Sequence, residues 1–351
     1  MEITEIAVEG YEKVVRCRDE ESGLHAIISI HDTTLGPALG GMRMWPYASE
    51  DEALTDVLRL SKGMTYKSAV AHTGLGGGKS VVIGDPRKVK SEALFLAMGR
   101  FIDSVGGSYI TAEDVNITVP DLETVRRSTK YVSGLSREDG GSGNPSPYTA
   151  YGVYLGLRAA VERRFGSADL NGRRVSVQGV GAVGSELVRR LVQAGADVWV
   201  TDSQDERVQD VVQRYGVEAV GMKEIFDLDV DVFAPCALGA VINDDTLPRL
   251  KCQVIAGAAN NVLHEARHGA ELRERGIVYA PDYVINAGGI INVSVEFRDG
   301  GYDQDVALQK IERIPEALHE VWEISERDDI PASDAADRLA QEIVAAGRAA
   351  S

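Results

Sequence analysis

Apolar and polar positions along the chain alternate in ways that separate strands from helices. Leu24, Ala26, Ile28 and Ile30 alternate with His25, Ser29 and His31, the period of a strand with one buried face. Ser49 precedes Glu52 in the spacing of a capping box. Ala53, Leu54, Val57, Leu58 and Leu60 then form an apolar stripe at helical spacing, which predicts a helix running into Met64-Thr65-Tyr66-Lys67. As far as about Gly134, apolar segments at 80–83 and 92–105 alternate with glycine-rich turns, as in an α/β unit. At 137–147 glycine, serine, asparagine and proline crowd together and periodicity disappears, so a hinge is expected there. A helical stretch at 149–164 follows. After it comes the strand–helix rhythm of a parallel sheet, with strands at 174–178, 198–201, 231–234, 254–256 and 277–280. From Ala307 the pattern is helical, broken at Pro315 and Pro331, and the last helix, within 332–351, is expected to return to the first domain.

The predicted fold is therefore α/β with two domains separated by a cleft. An N-terminal α/β domain with an open mixed sheet spans 1–136, and a Rossmann-like, doubly wound domain spans 137–331. A length of 351 residues accommodates about two such domains. With 44% hydrophobic and 26% charged residues the composition is globular, and no apolar run approaches the ~20 residues of a membrane helix. The first twenty residues are rich in charge and lack the apolar core of a signal, so a cytoplasmic protein with no membrane association is expected. A net charge of −17 disfavours nucleic acid and anionic lipid as partners, and is read as a solvated acidic surface. Cys17, Cys236 and Cys252 are far apart and form no C-x-x-C pair, so they are read as reduced and structural, and no metal site is expected.

The most specific motif is Gly179-Val180-Gly181-Ala182-Val183-Gly184, placed directly after a strand-like segment and before a helix-like one. Gly179 permits a tight turn, Gly181 lets the backbone approach a pyrophosphate, and Gly184 lets the helix pack closely, with the helix N-terminus facing the anion. Asp202 ends the next strand eighteen residues after Gly184, where a carboxylate accepts ribose hydroxyls and repels the extra phosphate of NADP; Ser203 follows it rather than arginine. A dinucleotide site is favoured over a glycine-rich structural turn, and NAD over NADP, with Arg207 close by in sequence as the opposing feature.

A second glycine cluster, Gly74-Leu75-Gly76-Gly77-Gly78-Lys79-Ser80, is not a P-loop, because the position five before Gly78 is Thr73. Its glycines are expected to fold tightly around Lys79 in a cleft, together with Lys67 twelve residues earlier. Two lysines brought together and partly buried depress each other's pKa, which makes one of them a base; the competing reading is a pair of solvated surface lysines.

With these motifs in place, the chain resembles the glutamate, leucine, phenylalanine and valine dehydrogenase superfamily over nearly its whole length, and within it the leucine dehydrogenase branch. The resemblance rests on the segments at 35–45, 63–67, 75–86, 109–115, 143–154, 178–184, 233–240, 256–261 and 279–293. It implies NAD-dependent, reversible oxidative deamination of a branched-chain L-amino acid to its 2-oxo acid and ammonia. It also implies that the first domain carries substrate binding and oligomerisation, that the domains close over the cleft, and that the assembly is a homo-oligomer, an octamer or a dimer. Carried over by position, Lys67 binds the substrate carboxylate beside the Gly40-Gly41 backbone, Lys79 is the general base and Asp114 shuttles protons at the amino nitrogen. Asn260 lies between amine and nicotinamide, while Thr149 and Asn286 hold the nicotinamide side, unless these asparagines are simply turn residues. Cys236, Ala237 and Ala258 fall on the cofactor's path, with no thiol chemistry implied. Leu39, Ala112, Ile290 and Val293 form an apolar side-chain pocket where glutamate-specific members carry lysine and serine in place of Leu39 and Val293. Met42 and Ile290 depart from the usual threonine and valine of leucine dehydrogenases, a tilt toward smaller side chains. The alternatives are a valine or phenylalanine dehydrogenase on the same scaffold and a non-catalytic NAD-binding regulator.

Overall fold

The computed structural model describes residues 1–138 and 140–350; Asp139, within the expected hinge, and Ser351, in the expected last helix, lie outside the described residues. Two compact units form. Met1–Asn144, Val293–Gln304 and the chain from Ala340 make the first, and Pro145–Asn292 with Asp305–Leu339 make the second.

The first unit contains β1 (Glu2–Glu5), β2 (Lys13–Asp19), β3 (Leu24–Asp32), β4 (Ala38–Trp45), α1 (Glu50–Val70), β5 (Gly76–Ile83), α2 (Pro86–Val89), α3 (Glu92–Asp103), β6 (Tyr109–Glu113) and α4 (Val119–Arg126). Its sheet has the order β1-β2-β3-β5-β4-β6, antiparallel from β1 to β5 and parallel from β5 through β4 to β6. On one face Ile28, Met42 and Met44 pack with Met98 and Phe101 of α3. On the other, Ile27 and Val81 pack with Ala53 and Val57 of α1. Strand β3 is thus covered on both faces, not one. Its polar positions face a helix rather than water: Ser29 Oγ lies 2.8 Å from Ser61 Oγ, and His31 Nδ1 lies 2.8 Å from Thr65 Oγ1. Helix α1 starts where its cap predicts, with Ser49 Oγ accepting the Glu52 N–H at 3.1 Å. The Glu52 carboxylate closes the box one residue upstream, on the Ala48 N–H at 2.8 Å.

The glycine cluster differs from expectation. Gly76, Gly77 and Gly78 do not form a turn but are the first residues of β5. A Cβ on Gly77 would lie 2.0 Å from the backbone nitrogen of Thr65, and one on Gly78 would lie 2.7 Å from the Tyr109 ring. Neighbouring strand residues point to opposite faces, so the glycines thin the strand for α1 on one side and Tyr109 on the other.

The units divide after Asn144 rather than at 136/137. The intervening segment folds back on the first unit: Gly141 and Gly143 donate backbone N–H groups to Ser136 and Leu135, and the Glu296 carboxylate accepts the N–H groups of Gly134 and Ser142 at 3.1 and 2.7 Å.

The second unit contains α5 (Ser146–Phe165), β7 (Arg174–Gln178), α6 (Ala182–Gln193), β8 (Asp197–Thr201), α7 (Asp205–Tyr215), β9 (Glu218–Ala219), β10 (Val232–Pro235), β11 (Val254–Ile255), α8 (Arg267–Glu274), β12 (Val278–Tyr279) and α9 (Asp282–Ile285). After it follow α10 (Gly288–Ser294), α11 (Gln304–Ile311), α12 (Ile314–Asp328) and α13 (Ala332–Ala350). Its sheet is wholly parallel in the order β12-β11-β10-β7-β8-β9, a doubly wound arrangement that reverses direction at β7. From Ala340 onward α13 counts with the first unit: Gln341 Nε2 donates to Tyr66 Oη at 2.9 Å, and Arg348 pairs with buried Asp32. Among the described residues no helix is long and apolar enough to cross a membrane.

Candidate active site

In the first unit the strand order sets the chemistry. Lys79 projects from the middle of β5, and only 6% of it is exposed. Asp114 follows β6 directly, and its Oδ2 lies 2.7 Å from Lys79 Nζ. Burial alone would push the Asp114 carboxyl up, yet Lys79 and Arg43 together hold it below its ordinary value. Besides the lysine pair expected from the sequence, the structure puts a carboxylate in direct contact with Lys79. Lys67 is half-buried in the last turn of α1, and Thr65 of that turn lies against Gly77, two residues before Lys79. Gly40 and Gly41 sit on β4 between β5 and β6, in register with Thr111 and Ala112. A Cβ on Gly41 would meet the Glu113 carbonyl oxygen at 2.4 Å and the Asp114 Cβ at 2.7 Å, so glycine there lets β4 approach the carboxylate closely. Leu39 is buried between Gly77 and Ile110.

Sequence reasoning missed two partners of this group. Arg43, inside one of the matched segments, donates from Nε to Asp114 Oδ2 at 3.1 Å and from Nη1 to Asp56 Oδ2 at 2.8 Å. Tyr109 donates its buried hydroxyl to the Gly40 carbonyl at 2.7 Å and so fixes that stretch of β4. Neither had a local signal, since the partners lie 71 and 69 residues away.

In the second unit the expected dinucleotide residues gather at the carboxyl ends of the parallel strands. Gly179 follows β7 with φ at +95°, and a Cβ on it would lie 2.7 Å from Ala237, which follows β10. On Gly184 a Cβ would lie 2.0 Å from the Gly179 carbonyl oxygen. Around Gly181 the space is open, with only an Arg207 nitrogen at 3.8 Å. Gly181 also caps α6 without a side-chain acceptor, so the first N–H groups of α6, from Ala182 and Val183, remain for an anion. These are the requirements of a pyrophosphate cradle. Asp202, at the end of β8, accepts the Val180 N–H at 2.8 Å and the Gln204 N–H at 3.0 Å, and Arg207 Nη1 is 3.9 Å from it; Ser203 is alongside.

Beyond β11, Asn286 Nδ2 donates to the Ala258 carbonyl at 3.0 Å and to Asn260 Oδ1 at 2.7 Å, which joins three expected cofactor residues. Thr149 lies in the first turn of α5, 2.7 Å from where a Gly289 Cβ would be. Ile290 and Val293 are one helical turn apart on α10, both nearly buried. Burial pushes the Cys236 thiol up to about 12, as it does Cys252, and Cys17 rises to about 11; these are poor nucleophiles. Asp244, His268 and Glu271 cluster on the same unit, but Arg267 pairs with both carboxylates and the Glu265 N–H donates to His268 Nδ1.

A family model described as "Glu/Leu/Phe/Val dehydrogenase, dimerisation domain" matches residues 11–135, and one described as "Glutamate/Leucine/Phenylalanine/Valine dehydrogenase" matches 140–208 and 199–350. The chain belongs to this dehydrogenase family. It is an amino-acid dehydrogenase. It is 58% identical over 332 residues to leucine dehydrogenase of Thermoactinomyces intermedius, covering 95% of this chain and 90% of that one. It is 47% identical over 336 residues to valine dehydrogenase of Streptomyces virginiae, covering 95% and 93%. Among solved structures, L-tryptophan dehydrogenase from Nostoc punctiforme superposes with a TM-score of 0.85 at 44% identity, covering 97% of each chain.

Proposed function

We propose that this dehydrogenase carries out NAD-dependent oxidative deamination of L-leucine, and of valine and isoleucine, to the 2-oxo acid and ammonia, reversibly. The observation that carries the chemistry is the contact of buried Lys79 with half-buried Asp114 beside the Gly40-Gly41 backbone. Lys67 receives the substrate carboxylate, supported by the Gly40-Gly41 backbone. Asp114 takes a proton from the amino nitrogen, so that a lone pair is available as the α-hydrogen leaves. The residues named below would hold NAD, which would supply the acceptor for that hydrogen as hydride. Lys79 then removes a proton from the water that attacks the iminium carbon, Asp114 returns a proton to the nitrogen, and the C–N bond breaks as the hydroxyl proton leaves with the ammonia as ammonium. Leu39, Ala112, Ile290 and Val293 are the proposed contacts of the side chain. All four are apolar, so an acidic side chain would lose its hydration without gaining a partner. The deciding experiment is the initial rate of cofactor reduction with equal concentrations of L-leucine, L-valine, L-isoleucine, L-phenylalanine and L-glutamate. Aliphatic substrates should lead and glutamate should trail. A lead for phenylalanine would keep the mechanism and reject the pocket. Stoichiometric NAD binding without turnover of any of them would favour a regulator.

Residues fitted to hold NAD are Gly179, Gly181, Ala182, Val183 and Gly184 for the pyrophosphate, Asp202 and Ser203 for the adenosine ribose, and Thr149, Cys236, Ala237, Ala258, Asn260 and Asn286 along the remainder. Preference for NAD over NADP rests on Asp202, whose charge opposes a 2′-phosphate. Removing that charge leaves Arg207 in place, so Asp202→Ser should raise kcat/KM for NADP relative to NAD by roughly tenfold, about 1.4 kcal/mol. An unchanged ratio would reject the assignment. A cytoplasmic location and a homo-oligomeric assembly, octamer or dimer, complete the proposal; the family's description of its first domain as a dimerisation domain supports the assembly.

A further inference from the structure

We propose that Arg43 is a positioning residue for the reaction: anchored by Asp56, its guanidinium holds one oxygen of Asp114 and gives that carboxylate a permanent counter-charge while Lys79 exchanges its proton. The proposal rests on the reading of Lys79 and Asp114 as base and proton shuttle.

Three elements converge on the contact. Arg43 stands on β4, Asp114 follows β6, and Asp56 lies on α1. Both cations meet the same atom: Asp114 Oδ2 is 2.7 Å from Lys79 Nζ and 3.1 Å from Arg43 Nε. Sharing one oxygen, the two cations orient the carboxylate. Arg43 is itself fixed. Its Nη1 meets Asp56 Oδ2 at 2.8 Å, that oxygen also accepts the Tyr47 hydroxyl at 2.7 Å, and Arg59 meets Asp56 Oδ1 at 3.1 Å. The close approach of β4 to Asp114 at Gly41 brings the guanidinium within reach.

A lysine that serves as base must be neutral in the starting complex, where Asp114 must still be ionised to take the amine proton. At that moment Asp114, with its side chain 20% exposed, would be a carboxylate without its nearest partner, and it would recapture a proton. A guanidinium does not titrate in the working range, so Arg43 keeps Asp114 ionised beside a neutral Lys79 until Asp114 takes the amine proton. The other groups near Asp114 do not replace it. Tyr109 on β6 is kept neutral by burial, Glu113 beside it is raised by burial, and Asp56 and Tyr47 stand behind Arg43.

The test is the pH profile of kcat/KM for leucine with NAD in the wild type, Arg43→Gln, Arg43→Lys and Asp56→Asn. Arg43→Gln should move the acid limb up by about one pH unit or more. It should also lower kcat by about ten- to a hundredfold with little change in KM. Arg43→Lys should return the limb toward wild type, because the cation returns, with only partial recovery of kcat. Asp56→Asn keeps an oxygen to accept from Arg43 Nη1 and so keeps the anchor, but removes the anion that competes for the guanidinium, so its limb should stay or move down. Equal losses of kcat in all three variants with an unmoved limb would mean a structural role and overturn the proposal. If Arg43→Gln does not fold, Asp56→Asn decides, and an upward shift there overturns it. A wild type inactive on every amino acid would count against the proposed function instead. Carbon-13 titration of the Asp114 carboxyl in wild type and Arg43→Gln would then decide the coupling by itself, an unshifted midpoint overturning it.

Discussion

Lys79→Ala is expected to lower kcat for leucine oxidation by about a thousandfold or more, the scale on which positioned acid–base groups act. Two losses coincide in this variant. The amine that would activate water is removed, and Asp114 loses the partner 2.7 Å away that shares its Oδ2 with Arg43. Lys79→Arg should fail almost as completely, since a guanidinium restores the charge and cannot give up a proton. Cofactor binding should survive both changes, because the fingerprint at 179–184 belongs to the other compact unit. NAD affinity followed by fluorescence titration, beside kcat from initial rates, separates these effects. Activity within tenfold of wild type in Lys79→Ala would exclude the base role.

The same contrast between local and distant causes decides what could be read from the sequence. The turn from β7 into α6 was legible because its glycines answer to each other within six residues: Gly184 has no side chain because the Gly179 carbonyl occupies that space. The cap at Ser49 was legible for the same reason. The parallel sheet of the second unit followed from strand spacing, and its strands end within a residue or two of the predicted positions. The Gly76–Gly78 run was readable as glycine but not as strand. What removes its side chains is α1 on one face and Tyr109 on the other, and neither adjoins it in sequence. Ser29 and His31 signalled an exposed face by polarity, whereas their partners, Ser61 and Thr65, are more than thirty residues away. Arg43 was present in a matched segment, yet its role depends on Asp56 and Asp114 meeting it from two other elements. The resemblance named Lys67, Lys79 and Asp114; only the three-dimensional arrangement showed what holds the last of them.

Gly77→Ala should therefore damage both the fold and the chemistry, although the change adds one methyl group. The new Cβ would lie 2.0 Å from the Thr65 nitrogen, 2.2 Å from its Oγ1 and 2.4 Å from its Cα, and two of these atoms belong to the backbone of α1. No rotamer relieves that contact, so α1 must move away from β5 by more than an ångström. Overpacking of this kind costs about 1–3 kcal/mol, and backbone contact places this case at the upper end or beyond. The displaced turn carries Lys67 and the resisting strand carries Lys79, so the two proposed substrate and base positions separate. A shift of that size can cost about a hundredfold in rate. Gly63→Ala is the matched comparison on the same helix. Its Cβ would meet nothing within 4 Å, and an alanine in an exposed helix interior should stabilise by about 0.5–1 kcal/mol with kcat unchanged. Melting temperature and kcat measured on the pair should move in opposite directions for stability and diverge for rate. A Gly77→Ala protein with wild-type stability would show that α1 does not lie on β5 as described. One that is destabilised but keeps its kcat would separate helix packing from the spacing of the lysines, and would place the substrate carboxylate on some group other than Lys67.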